Sequence, residues 1–297
     1  MNEKPNLARI VRYIVPKNVR TFDTFLQNES ALKSQVKEFW NEKSCGEIYV
    51  AGQSEKEYYE LESKSRYRLE PYIHDFAKFQ EGRNKDVLEI GVGMGTDHAE
   101  WAKSNPKSMV GVDLTLRAIE HTKKRFVLLG LTSGMAEADA EQLPFNDNSF
   151  DLVYSWGVLH HSPNTSQAIR EILRVLRPGG VTRIMIYHKY SLTGYLLWIR
   201  YGLLTAHPFK SLNDIYFNYL ESPGTKAFSV QETRHMFSQF SKVDTKVQLS
   251  FGDLLAGAVG QRHGGVLLSV AKRLWPRKLL SVLFKNHGLL LLIEAQK

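Results

Sequence analysis

The stretch that most limits what this chain can fold into is Glu89-Ile-Gly91-Val-Gly93-Met-Gly95, which follows directly on Asp86-Val-Leu-Glu-Ile. A short apolar strand ends, the chain turns on three alternating glycines, and helix-forming residues begin. Glycine accepts positive φ and lets a ligand come close to the backbone. The helix that follows offers unpaired N–H groups at its first turn. A tight turn with no ligand is the bland alternative, and three alternating glycines straight after a strand speak against it.

The rest of the chain supports a sheet around that turn. Met109 to Asp113, Met135 to Ala138, Phe150 to Val158 and Val181 to His188 read as further short apolar strands. Helical spacing separates them: Thr96 to Lys103, Leu116 to Leu129, and Ser166 to Leu176 with Ile169, Ile172, Leu173 and Leu176 inward. Arg177-Pro-Gly-Gly180 reads as a turn. Strands alternating with helices predict an α/β fold with a parallel sheet covered on both faces. Val230 to Phe240 reads as a helix, Thr245 to Phe251 and Leu289 to Glu294 as the last strands, paired antiparallel.

Four segments follow from this pattern. Residues 1–82 are a helical, aromatic-rich cap, with helical spacing over Ala31 to Trp40 and Glu55 to Phe79 and a break expected at Pro71. Residues 83–188 form the cofactor-binding core. Residues 189–228, rich in Tyr190, Tyr195, Trp198 and Tyr201, read as a lid over the acceptor, with an extra core layer or a dimer contact as the alternatives. Residues 229–297 complete the sheet and carry an insertion at 252–288.

Composition narrows the class. With 297 residues, 43% apolar and 24% charged, the chain is of ordinary globular type. Its one cysteine, Cys45, excludes a disulfide framework and a cysteine-rich zinc site. The opening MNEKPNLARI has no apolar leader, and Leu192 to Leu204 is too short and too interrupted by Arg200 to span a bilayer. The expectation is a soluble, cytoplasmic protein. The net charge is +8, and residues 252–288 hold six basic side chains against Asp253 alone. That segment reads either as a solvated basic face or as an attraction to an anionic surface, acidic lipid (a peripheral membrane contact) or nucleic acid.

Carboxylates at the strand ends suggest the ligand. The dinucleotide fingerprint has its third glycine one place later, where this chain has Thr96. Glu89, two residues before the first glycine, suits an ammonium group and would repel a pyrophosphate. Asp113 can accept two ribose hydroxyls, and Asp139 an adenine amino group. Ordinary solvation is the alternative for either residue alone, and it weakens when both stand at successive strand ends beside the glycines.

The segments VLEIGVGMGTD, VGVD, ADAEQLPFNDNSFDLVYSWGVLHH and EILRVLRPGG, in this order, resemble the class I S-adenosylmethionine-dependent methyltransferases, type-11 methyltransferase domain. The resemblance covers about a third of the chain, from Asp86 to His188. It implies a Rossmann-like doubly wound sheet of order 3-2-1-4-5-7-6 with an N-terminal helical cap and lid insertions, and S-adenosyl-L-methionine as cofactor. The matching positions are Glu89, Gly91, Gly93 and Gly95 for the methionine part. Asp113, with Leu114 beside it, matches the ribose position, and Asp139 with Ala140 the adenine position. Ser155 or Trp156 matches the border of the amino-acid part. The resemblance also implies cap residues closing over the cofactor, among which Tyr58, Tyr59 and Tyr67 are candidates.

Methyl transfer from a sulfonium is an in-line displacement that needs orientation and dryness more than covalent catalysis. A hydroxyl acceptor also needs a base. His160, His161 and His188 lie nearest the expected site, and His161 and His188 are the candidate bases. A structural role is the alternative for each. No metal is expected, because the histidines have no carboxylate at ligand spacing. The function expected is methylation of a small molecule, a secondary metabolite or amino-acid-like acceptor. A lipid or quinone acceptor at a membrane surface, a regulatory or scaffold protein without transfer activity, and an NAD-dependent oxidoreductase are the competing readings. Nucleic acid is not expected as a partner: the charge is diffuse, and no Asn-Pro-Pro-aromatic tetrad follows the fourth strand. The oligomeric state is not readable from the sequence.

Overall fold

The structure, a computed structural model, describes residues 22–42, 44, 47, 54–256, 272–273 and 275–297. Parts of the expected cap (residues 1–21, Cys45) and of the basic segment (Arg262, Leu267, Leu268, Leu274) lie outside the described residues.

Strand β1 (Asp86–Ile90) is buried along its whole length, as an apolar run between two neighbouring strands requires. Beside it lie β2 (Ser108–Asp113) and β3 (Gly134–Glu137) on one side, and β4 (Phe150–Trp156) and β5 (Leu176–Tyr187) on the other, all parallel. Strands β6 (Lys242–Gln248) and β7 (Leu290–Gln296) complete the sheet antiparallel. The order is 3-2-1-4-5-7-6, as the resemblance implies. Helices α4 (Thr96–Lys103), α5 (Leu116–Leu129) and α6 (Thr165–Val175) connect the parallel strands.

Helix α6 shows how the elements arise. Asn164 caps it by accepting from the Gln167 N–H at 3.1 Å, and Ala168, Ile169, Ile172 and Val175 form a stripe at helical spacing that is buried. Burying each large aliphatic side chain there contributes about 1.5–3 kcal/mol.

Two boundaries differ from the sequence reading. The Pro-Gly-Gly segment lies within β5 rather than before it. Gly179 takes the left-handed conformation there, and the ladder shifts register between Phe150 and Leu152, so the chain kinks without leaving the sheet. Strand β6 begins earlier than expected, because Lys-Val-Asp-Thr-Lys-Val-Gln alternates on a half-exposed edge rather than forming an apolar run.

The cap consists of α1 (Phe22–Glu42), α2 (Glu55–Leu69) and α3 (Ile73–Ala77). Pro71 separates α2 from α3, as expected. Buried Arg183 on β5 fastens this region to the sheet: it donates to the Ala77 carbonyl at 2.9 Å and to Glu294 at 2.7 Å, and pairs with Glu81. Above the carboxyl ends of the strands, α7 (Leu192–Tyr201) and α8 (Leu212–Tyr219) form the lid. Two short helices, α9 (Val230–Met236) and α10 (Arg277–Leu283), flank the last strands.

Candidate active site

A cavity of about 510 Å³ opens at the carboxyl ends of β1, β2 and β4, between the sheet, the cap and the lid. Its floor is the glycine turn. Gly91 (φ +84°) packs so closely that a Cβ would lie 2.0 Å from the Val158 side chain, whereas Gly93 (φ +53°) has no atom within 4 Å of that position and faces open space. Both line the cavity. Gly95 does not: it opens α4 in a left-handed conformation and presses on Thr122 of α5.

The carboxylates expected at the strand ends come together here. Glu89, Asp113, Leu114, Asp139, Ala140 and Trp156 all line the cavity. Asp113 accepts from the Gly93 N–H at 3.1 Å and from the N–H and hydroxyl of Thr115 at 2.9 Å each, which fixes its orientation. Burial nonetheless pushes its pKa up, against those hydrogen bonds. Glu89 lies 2.9 Å from His98 Nδ1, and burial, with Asp97 adding, holds it well above the usual carboxylate range. Burial also takes His98 down to about 3, so this imidazole is neutral and brings no positive charge. Arg66 offsets only part of the cost of charging Glu89, and two buried acids at the glycine turn favour a positively charged ligand over a pyrophosphate.

Asp97, just after the glycine turn, behaves differently. Burial pushes it up, but Arg66 prevails with a two-pronged contact at 2.9 and 2.6 Å, aided by Tyr154 and Tyr67, and Asp97 stays low. Asp139 holds the Lys33 ammonium of α1 at 2.6 Å, shared with Glu141 at 2.6 Å. The cap therefore reaches the cavity through Lys33, Val36, Trp40, Arg66 and Glu70, and not through the tyrosines.

Several expected residues stand elsewhere. Tyr59 bonds through its phenol to His121 Nδ1 at 3.0 Å, with Arg125 over its ring, so it joins cap to α5 away from the cavity. Tyr58 is likewise absent from the lining, and Tyr67 is turned to Asp97. The Ser155 hydroxyl donates to the Ile90 carbonyl at 2.9 Å, inside the sheet. His188 has its Nδ1 3.1 Å from the Gly288 carbonyl, at the seam of β5 and β7, and does not reach the lining.

His161 does reach it. Its Nδ1 lies 2.8 Å from Ser222 Oγ and 3.2 Å from Thr225 Oγ1, and its Nε2 lies 3.4 Å from Glu221. Glu221 also accepts from the Tyr187 hydroxyl at 2.8 Å. The Trp40 ring meets His161 edge-on at 5.2 Å. His160 stacks on Tyr187 at 3.8 Å, buried. The expectation that these histidines lack a carboxylate is corrected: ligand atoms of His160, His161 and Glu221 lie within 4.8 Å of one another, a set able to hold a metal ion. Sequence spacing could not show this, since Glu221 comes from the lid. Glu70 was also missed. It lines the cavity, takes a hydrogen bond from Trp156, and burial, opposed by Arg66 and reinforced by Asp97, pushes it up to about 7.

Beyond this polar zone the walls turn apolar, with Met185, Leu196, Leu197, Leu220, Phe251 and Leu289.

The sheet order together with a glycine turn and acids at successive strand ends defines the Rossmann-like fold of class I S-adenosylmethionine-dependent methyltransferases. The model of the methyltransferase domain family matches residues 88–184, about a third of the chain. A phthiotriol/phenolphthiotriol dimycocerosates methyltransferase of Mycobacterium tuberculosis is 40% identical over 97 residues, 32% of this chain and 35% of the relative. A fatty-acid O-methyltransferase of Mycolicibacterium smegmatis is 34% identical over 122 residues, 41% of this chain and 43% of the relative. The chain thus matches only about 35–43% of the length of these curated relatives. Among solved structures, the [4+2]-cyclase SpnF aligns over 91% of this chain and 95% of its own (16% identity, TM-score 0.53). The YcgJ protein from Bacillus subtilis aligns over 77% and 98% (19% identity, TM-score 0.50). Both share the fold. Among the described residues, no helix is long and apolar enough to cross a membrane.

Proposed function

We propose that the protein transfers a methyl group from S-adenosyl-L-methionine to a small apolar acceptor. One observation carries this reading: a single cavity is lined both by the glycine turn with its acids and by apolar side chains of the lid and β5, and His161 and Glu221 stand on the same wall. The cofactor supplies an activated methyl on a sulfonium. Glu89 and Asp113, buried and short of positive charge, suit its cationic groups and its ribose, and the open side of Gly93 gives it room. Asp139 lies at the adenine position in the resemblance, with Lys33 beside it.

The acceptor would lie against Met185, Leu197 and Leu220, where walls of this kind hold an apolar body and leave few polar groups to orient it. An amino-acid-like acceptor fits such walls poorly. Relatives such as the fatty-acid O-methyltransferase and a 27-O-demethylrifamycin SV methyltransferase of Amycolatopsis mediterranei support methylation of a non-polymeric acceptor without fixing which one. His161 can serve a hydroxyl acceptor. With its proton on Nδ1, donated to Ser222 or Thr225, its Nε2 lone pair would take the hydroxyl proton, leaving an oxygen nucleophile for the methyl that the bound cofactor would supply as its neutral thioether departs. Glu221 then faces the imidazolium and stabilises it.

Calorimetry with the cofactor and its demethylated product, followed by transfer of labelled methyl to a panel of apolar alcohols, phenols and acids, tests this reading. Cofactor binding with turnover of a panel member is expected. Binding without turnover across the panel would favour the regulatory or scaffold reading, and labelled NAD binding in place of the cofactor would favour the oxidoreductase.

A further inference from the structure

We infer that the outer face of the lid together with α10 docks on an anionic lipid surface, beside the mouth of the cavity. Two stretches carry the inference. In the first, Leu203 and Leu204 are 51% and 65% exposed and Phe209 is 98% exposed. In the second, on α10, Leu279, Val282 and Leu283 are 57%, 70% and 64% exposed. A single exposed apolar side chain is commonplace, but two runs of them are not.

The charges in these runs have one sign. No Asp or Glu occurs between Leu192 and Leu212, or between Lys272 and Gly288. Arg200 stands in the first run, and Arg273, Lys278 and Lys285 stand exposed in or beside the second.

The elements that carry the two runs touch. The Tyr195 hydroxyl of α7 lies 2.9 Å from His287 Nδ1, just past α10, and the Leu192 N–H donates to the His287 carbonyl at 2.8 Å. At the other end of α10, Arg277 donates to the Leu255 carbonyl at 3.2 Å. Leu255 lines the cavity, and so do Ile199, Arg200 and Leu204. Ile199 and Leu204 are exposed as well as lining, so they form the mouth. The apolar surface therefore continues from the outside into the chamber.

Charge complementarity selects the occupant. Apolar side chains interleaved with cations and free of acids match the boundary of a bilayer rich in anionic headgroups, where the apolar groups enter the acyl edge and the cations meet the headgroups. A membrane-resident acceptor would then pass into the chamber without crossing water, and this last step rests on the proposed methyl transfer.

Co-sedimentation of the full chain with phosphatidylcholine vesicles, with and without phosphatidylserine, tests the docking without reading any turnover. Binding is expected only when phosphatidylserine is present, and it should fall as salt is raised. The double variant Lys278→Glu/Lys285→Glu should lose at least about tenfold in vesicle affinity, and Leu279→Ser/Val282→Ser should lose a similar amount. Circular dichroism and cofactor affinity serve as controls for folding. Absence of binding to anionic vesicles at low salt overturns the inference. So does light scattering that shows a stable dimer abolished by Leu279→Ser/Val282→Ser, since the face would then belong to a second copy. Vesicle binding by a protein that transfers no methyl would leave the docking intact and remove the methyltransferase reading.

Discussion

Glu221 Oε2 lies 3.4 Å from His161 Nε2 and receives the Tyr187 hydroxyl at 2.8 Å, which brings the lid, the loop after β4 and the end of β5 to one point of the cavity wall. If the acceptor is a hydroxyl, His161→Ala should lower kcat by about 10²–10⁴-fold while cofactor affinity stays near wild type. Glu221→Gln should act in the same direction and more weakly. Single-turnover rates with calorimetric cofactor binding separate the two effects, and an unchanged rate in His161→Ala would remove the base.

The two inner glycines should fail in different ways. Gly91→Ala places a methyl into the Val158 side chain at a positive φ, and should cost about 2–4 kcal/mol of stability. Gly93→Arg meets no protein atom at Cβ but fills the open floor of the cavity, so it should fold and lose cofactor binding. Thermal unfolding beside calorimetry reads both variants. A Gly93→Arg protein that binds the cofactor like wild type would refute the site.

Asp113→Ala removes an acceptor that the Gly93 and Thr115 donors hold in place. Cofactor affinity should drop by about 1–3 kcal/mol, that is roughly tenfold to a hundredfold. An unaltered Kd would deny Asp113 any part in holding the ribose.

Glu70 gives a pH signature. Burial raises its pKa from 4.5 to about 7 in the folded chain, so the folded state holds this proton more tightly than the unfolded one. Its protonated form favours folding at and below pH 4.5, and that contribution is lost as pH rises to about 7. Urea unfolding of the cofactor-free protein should therefore show a loss of about 3 kcal/mol over this interval that Glu70→Gln does not show. Parallel curves for the two proteins would contradict the assignment.

His188 should prove structural. Its ring is tied to the Gly288 carbonyl and burial lowers its pKa. His188→Ala is expected to lower Tm and leave cofactor affinity and the single-turnover rate intact. A large loss of rate at full stability would return it to the chemistry.

The sheet was legible because its signals are local. Apolar runs, glycine punctuation and the stripe on α6 each act within a few residues, and so do the acids at the ends of β1 and β2. The cap contacts were not legible in the same way. Tyr58, Tyr59 and Tyr67 share a helix with Arg66, and only the packing angle of α2 decides that Arg66 faces the cavity while Tyr59 turns to His121. Glu221 and Glu70 carry no pattern of their own, since burial and distant partners make them notable. The start of β6 was missed because an edge strand with one wet face alternates instead of running apolar.

Lys33 holds Asp139 and Glu141 together, each at 2.6 Å, so the roof helix is moored to the rim by opposite charges. A mooring of that kind responds to its surroundings. Salt weakens it, and a nucleoside that draws on the same carboxylate changes how hard it pulls. Lys37 ties the same helix to Glu137 of β3, so two lysines share the mooring and screening either pair alone loosens α1 only in part.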